Sequence, residues 1–319
     1  MSVWGYFNLD EICFEFSGGN SEQQNYLKSF YQSLQDTSYN KQKIKIEMTS
    51  QIIDTHTSDS LIPVLDEQYY IGEDQSTFIQ YSPKKWIIVT SGNNYINVTT
   101  FNDWKLTKDI LNQALRDAIY RVCVMKNMSV AHSACVVCPW GTVLLFGASG
   151  VGKSTLAIAL GNFGYDIITD DKCVITENRT MTSLGFPITF RAGTSNLIPK
   201  LKKYETNVPN IVFTNNTLRY RYKIAINYNE LVGKDRRYTQ QSDYYIVFLK
   251  RSDKENAKWI YKNESEYKTL LSEYNEEIKS LNPIRLLSNA KNVYEFLLPH
   301  SINLEYRSTL DVFRAGPRG

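Results

Sequence analysis

The first hundred residues are patterned mostly for strands. Val3 to Phe16 and Lys43 to Met48 carry β-type patterns, and in the second Ile44 and Ile46 alternate with lysines. Trp86 to Thr90 and Tyr95 to Phe101 flank Gly92-Asn93-Asn94, which predicts a hairpin. One helix interrupts this run. Ser21-x-x-Gln24 reads as a capping box, with Tyr26, Leu27, Phe30, Tyr31 and Leu34 on one face. Asp54 to Asp74 reads as a loop-rich connection. A second helix is predicted from Thr107 to Met125, capped by Thr107, with Asp109 in its first turn and Ile110, Leu111, Ala114, Ala118, Ile119 and Val122 buried.

The pattern then changes to alternating strands and helices. Val130 to Val137 and Val143 to Phe146 read as a β-hairpin around Cys138-Pro139-Trp140-Gly141, which sets His132 on a strand beside the second run. A helix pattern follows at Leu156, Ala157, Ala159 and Leu160, stopping at Phe163-Gly164. Tyr165 to Thr169 is a short strand, and Tyr244 to Leu249 another. Arg219, Arg221 and Lys223 alternate with Tyr220 and Tyr222, a strand pattern that points the charges to one face. Helices are predicted at Glu264 to Ile278 and Ser288 to Leu298, while Arg314 to Gly319 carries no signal.

Charge divides the chain in a similar place. Residues 1–120 hold 9 basic and 15 acidic side chains, net −6, and residues 121–319 hold 27 and 18, net +9. This suggests a β-rich N-terminal α+β domain over 1–103 and a second domain over 104–319, whose positive excess suits polyanions. The total of +3 argues against a simple polybasic nucleic-acid binder. Apolar runs fall far short of the roughly 20 residues that span a bilayer. Asp10, Glu11 and Glu15 leave the first residues unlike a signal peptide, so a cytoplasmic setting is expected. Five cysteines in a long chain do not suggest a disulfide framework, and Cys135-x-x-Cys138, lacking a companion pair, reads as strand core. His56 reads as a solvated loop residue and His300 as structural. The 22 tyrosines fit strand and helix faces, and Tyr220 and Tyr222 suit a peptide groove, but most are attributed to composition bias.

One segment carries chemistry. Residues 142–155 read Thr-Val-Leu-Leu-Phe-Gly-Ala-Ser-Gly-Val-Gly-Lys-Ser-Thr, so Gly147-x-x-x-x-Gly152-Lys153-Ser154 follows an apolar strand and opens a helix. This is the context of a phosphate-binding loop. Backbone N–H groups from Gly147, Ala148, Ser149, Gly150, Val151 and Gly152 through Thr155 would face the phosphates of ATP, and the helix N-terminus adds its dipole. Lys153 would meet the β- and γ-phosphates, and the Ser154 hydroxyl Mg2+. Asp170-Asp171 follows 16 positions after Ser154. One helix back and one strand forward returns both carboxylates to the sheet edge that holds the loop. They can hold Mg2+, orient or deprotonate an acceptor hydroxyl, or cap the next turn. Neighbouring residues on a strand point to opposite sides, so one is expected at the phosphate and the other as its support.

The run from His132 to Asp171 resembles the HPr kinase/phosphorylase-type nucleotide fold, most of all the branch of serine kinases that act on ribosomally made peptide precursors, such as lasso-peptide kinases. The resemblance rests on His132-Ser133-Ala134-Cys135-Val136, on Gly147 to Ala157, and on Gly164 with Asp170-Asp171. It implies an α/β fold with a mixed sheet and ATP-dependent phosphorylation of a serine hydroxyl. It further implies Asp170 as the base, Asp171 and His132 as its hydrogen-bonded supports, and Mg2+ on Ser154 with a carboxylate, Asp171. HPr kinases carry a Glu-x-Arg-Gly segment after the next strand. The corresponding stretch is Ile188 to Gly193, which lacks the Glu and keeps Arg191. That departure argues against a second metal and the reverse, phosphorylase activity, and HPr is not the preferred substrate.

The expected partner is a peptide or protein with a serine hydroxyl, with Arg191, Arg219, Arg221, Arg236 and Arg237 as contacts for acidic peptide or phosphate. Gly233 to Arg237 is expected to close over the acceptor. Nucleic acid and membrane are not expected partners, and a homo-oligomer is compatible with the sequence. Two other readings stand beside this one. A small-molecule kinase of the shikimate or gluconate type places acids similarly, usually as Asp-x-Asp in shorter chains. The other is an ATP-sensing or scaffold module without phosphotransfer, against which the intact Lys153, Ser154 and both aspartates argue.

Overall fold

The computed structural model describes residues 2–9, 12–31, 42–50, 62–65, 69–71, 77–82, 85–92, 94–100, 104–191, 194–205, 223–226, 228–233, 239–241, 244–253, 256–277, 292–299 and 302–317. They form two units, Met1–Met128 and Ser129–Gly319.

The first unit holds strands β1 (Val3–Leu9), β2 (Ile12–Gly18), β3 (Gln42–Ser50), β4 (Ile62–Leu65), β5 (Tyr69–Ile71), β6 (Thr77–Ser82), β7 (Lys85–Gly92) and β8 (Tyr95–Thr100). They make one sheet in the order β1-β2-β3-β8-β7-β6-β5-β4. The pairs β2–β3 and β3–β8 are parallel and the others antiparallel. Helix α1 (Ser21–Phe30) is the crossover that the parallel β2–β3 pair requires. Its cap lies one residue before the expected Ser21. Asn20 Oδ1 accepts from the Gln23 backbone N–H and Gln23 Oε1 from the Asn20 N–H, each at 2.9 Å. Leu27 and Tyr31 are buried as expected, while Leu34 lies outside the described residues. Replacing Asn20 with Ala should cost the unit about 1 kcal/mol, read as a lower urea midpoint.

Two expectations for this unit change. Asp54 to Asp74 contains β4 and β5, so that stretch is partly sheet; His56 lies outside the described residues. Helix α2 (Trp104–Met125) begins three residues before Thr107, which is therefore inside it rather than its cap. It packs on β6, β7 and β8 with Leu111, Leu115, Ile119 and Val122 buried. The division at Met128 keeps α2 with the first sheet, whereas the sequence boundary at 103/104 assigned it to the second part.

The second unit holds β9 (Ser129–Ala131), β10 (Ala134–Cys138), β11 (Gly141–Phe146), α3 (Lys153–Asn162), β12 (Asp166–Thr169), β13 (Cys173–Ile175), β14 (Thr180–Thr182) and β15 (Ile188–Arg191). After them come α4 (Lys202–Glu205), β16 (Lys223–Ile226), α5 (Tyr228–Val232), β17 (Thr239–Gln241), β18 (Tyr244–Ser252), β19 (Lys258–Tyr261), α6 (Glu264–Glu277), β20 (Val293–Pro299) and α7 (Ile302–Ala315). The fold is mixed α/β. Its main sheet runs β12-β10-β11-β18-β20-β19, a second β17-β14-β13-β9, and β15 pairs with β16. In the main sheet β11, β12, β18 and β20 point one way, and β10 and β19 the other.

Both faces of the main sheet are covered. Val143, Leu145, Val247 and Phe296 pack with α3 and with Phe313 of α7, while Leu144, Phe146, Ile246, Phe248 and Val293 pack with Tyr267 and Leu271 of α6. A strand buried on both faces reads as an apolar run without alternation. That is why Ser288 to Leu298, expected as a helix, contains β20 instead. The tyrosines and tryptophans find a use here: Trp140, Tyr245, Trp259 and Phe313 form ring contacts with centroids 4.8–5.9 Å apart beneath α7. Arg314, in a stretch with no sequence signal, donates to the Tyr165 hydroxyl at 3.2 Å and lies 4.5 Å over the Phe163 ring. It thereby fastens the end of α7 to the turn after α3. All five cysteines are free and buried. Burial pushes the Cys138 thiol up to about 12 and Cys135 well above its usual value, with Cys173 beside Cys135 adding to the shift, so the C-x-x-C is neutral core. Among the described residues no helix is long and apolar enough to cross a membrane.

Candidate functional site

The carboxyl ends of β11, β12, β18 and β20 share one edge of the main sheet. The loop from Gly147 leaves β11 there and enters α3 at Lys153. Ala148, Ser149 and Gly150 are exposed at its tip, while Val151 anchors it in the core. The Lys153 ammonium is only 7% exposed and donates to the carbonyls of Gly147 at 2.6 Å and Ala148 at 3.3 Å. An ammonium at this position can donate to a phosphate on the loop. α3 is buried almost all round, from Leu156 to Gly161, so the loop stands on a rigid element.

Asp170 and Asp171 follow β12 at the same edge. The Ser154 hydroxyl donates to the Asp170 backbone carbonyl at 3.0 Å, which ties the phosphate loop directly to the carboxylate pair. The two side chains diverge. Asp170 is 4% exposed, and its Oδ2 accepts from the Thr189 backbone N–H at 3.0 Å and the Thr189 hydroxyl at 2.9 Å. Asp171 is half-buried, with Oδ1 3.2 Å from His132 Nε2.

His132 was expected on a strand beside β11. It lies instead in the break between β9 and β10, where the chain leaves one sheet for the other. Ala131 pairs with Cys173 and Cys135 with Thr169. The same antiparallel register therefore holds on both sides of the break, and the segments 132–134 and 170–172 cross side by side. That register brings His132 to Asp171. His132 was expected to support Asp170; the contacts pair it with Asp171, and Asp170 with Thr189.

Thr189 was missed in the sequence. It stands two positions before Arg191, in the stretch where the expected Glu is absent. Its two bonds on one oxygen fix the Asp170 carboxylate. Thr189→Val should lower the turnover number about 10-fold at unchanged KM for ATP, and Thr189→Ser should restore it. A merely structural role would move neither alone, and steady-state kinetics of the three proteins checks this.

A hydroxyl, as on Ser154, and a carboxylate, as on Asp171, are the donor types that a hard cation takes. No group of three or more His, Cys, Asp or Glu occurs as a metal cage among the described residues, and Mg2+ with nucleotide needs only one or two protein ligands. Arg191 ends β15 opposite Lys223. Arg219, Arg221, Arg236, Arg237 and His300 lie outside the described residues, as does the loop after Gly233 through Tyr238.

No family model and no curated protein matches the chain. Among solved structures, the Hpr(Ser) kinase/phosphatase from Coxiella burnetii aligns at a TM-score of 0.30 and 16% identity, over 58% of this chain and 96% of that chain. The functional reading rests on the residues.

Proposed function

We propose that this chain is an ATP-dependent kinase that transfers the γ-phosphoryl group to the serine hydroxyl of a peptide, with a ribosomally made precursor peptide as the substrate class. The observation that carries this reading is the 3.0 Å bond from Ser154 to the Asp170 carbonyl, because it joins a phosphate-binding loop to a carboxylate pair at one sheet edge. A non-catalytic nucleotide sensor has no use for an anchored carboxylate there.

In this reading Lys153 and the loop N–H groups, Gly147 to Thr155, hold the phosphates. The acceptor oxygen attacks the γ-phosphorus, the bond to the β–γ bridging oxygen breaks, and ADP leaves. The hydroxyl proton passes to Asp170, whose orientation Thr189 fixes. Mg2+ on Ser154 and Asp171 would neutralise charge on the phosphates. His132 holds Asp171 in place. Arg191 is assigned to the acceptor side because it follows Thr189 on β15; Arg219, Arg221, Arg236 and Arg237 keep that assignment on charge alone. ATP supply and five free thiols fit the cytoplasm.

The test is to incubate the protein with ATP and Mg2+ over a serine-containing peptide library and a panel of small alcohols, followed by mass spectrometry. Phosphoserine in peptides supports the reading. Phosphorylation confined to the small alcohols, or ATP hydrolysis with no phosphorylated acceptor, contradicts it.

A further inference from the structure

A cleft of about 470 Å³, open to solvent, adjoins the phosphate loop on the flank away from Asp170. Gly152 and Thr155 form its near wall, Arg251 at the end of β18 and Leu298 with Pro299 at the end of β20 its far wall, and Thr309 of α7 also lines it. Beyond the loop, its walls have no part in the chemistry described above.

The strand order assigns the two flanks of the loop to different ends of a nucleotide. Across the edge the order is β12, β10, β11, β18, β20. The carboxylates, and with them the transferred phosphoryl group, lie on the β12 side. β20 lies two strands from β11 on the other side, about 10 Å away at ordinary strand spacing. A triphosphate held by the loop with its γ end toward Asp170 sends its other end that way.

From this placement we propose that the cleft binds the nucleoside of ATP, with the Arg251 guanidinium stacked on the base. Arg251 Nη1 donates to the Pro299 carbonyl at 3.0 Å, which fixes the plane of the guanidinium at the cleft wall. A planar cation held this way is a platform for a nucleobase, and Leu298 supplies apolar surface beside it. Gly152 keeps the floor low. A Cβ there would lie 3.7 Å from both Arg251 Nη2 and Leu298 Cδ1, taking up the space between loop and wall.

The proposal rests on the kinase reading only in needing a triphosphate on the loop, and the two can fail separately. Isothermal titration with two probes, ATP and inorganic tripolyphosphate, separates them in wild type, Arg251→Ala, Arg251→Gln and Lys153→Ala. Both Arg251 variants should bind ATP about 10-fold more weakly and tripolyphosphate as wild type does. Lys153→Ala should weaken both probes. Unchanged ATP affinity in the Arg251 variants overturns the nucleoside cleft while leaving the phosphate loop intact. An equal loss of both probes also overturns it, because Arg251 would then act on phosphate or on folding. No effect of Lys153→Ala on either probe sinks the phosphate-loop reading itself.

Discussion

Asp170→Asn should lower phosphoryl transfer by about 10²–10⁴-fold while leaving ATP affinity within a few-fold of wild type. The substitution removes the charge and keeps the shape. Thr189 donates to Asp170 Oδ2 through both its N–H and its hydroxyl, and an amide oxygen accepts the same two bonds. The Ser154 hydroxyl meets the backbone carbonyl of residue 170, which the change does not touch. The variant should therefore fold and bind nucleotide, but its side chain no longer takes the acceptor proton. Asp171→Asn should have a smaller effect on turnover and a larger one on the Mg2+ requirement, because Asp171 stands with His132 and is assigned to the metal side. Single-turnover transfer and nucleotide titration on both variants check the pair. Equal effects on turnover from the two would contradict the division of roles.

Gly147→Ala should weaken ATP binding by about 10–100-fold, the equivalent of a strain of about 1–3 kcal/mol. Gly147 has φ +140, which L side chains rarely adopt, and a Cβ would fall 2.7 Å from the Leu249 carbonyl oxygen and 2.9 Å from Val151 Cγ1. The backbone oxygen belongs to β18, beside β11, and cannot move aside. Relief has to come from the loop, which carries the carbonyl that holds Lys153. Gly150→Ala is the control: its φ is +83 but nothing lies within 4 Å of a Cβ, so it meets conformational strain alone and should bind ATP better than Gly147→Ala. Fluorescent nucleotide titration ranks the two.

The place of the loop and of the Asp-Asp pair was legible in the sequence because strand, loop, helix and strand are contiguous there. Parts of the fold were equally local: the β7–β8 hairpin closes with Gly92 opposite Tyr95, as its turn predicts. What was not legible depends on distant chain. His132 reaches Asp171 only because two sheets share one register across a break, and that register is set by β12 and β13, some forty residues on. Thr189 looks like any strand threonine until β15 is placed beside Asp170. β20 carries an apolar run that suits a helix or a buried strand equally, and its parallel partner β18 decides between them. The face of α7 that carries Phe313 meets an aromatic cluster assembled from β18, β19 and the turn at Trp140.

We propose that transfer of a phosphoryl group from ATP to a peptide serine depends on Asp170. The most direct measurement supplies γ-³²P-labelled ATP, Mg2+ and serine peptides to wild type and Asp170→Asn, with the nucleotide affinity of both measured in the same preparation. Label should appear on a serine peptide with wild type and almost none with the variant, at like affinities. Full labelling by the variant, or none by a wild type that binds ATP, would contradict the proposal.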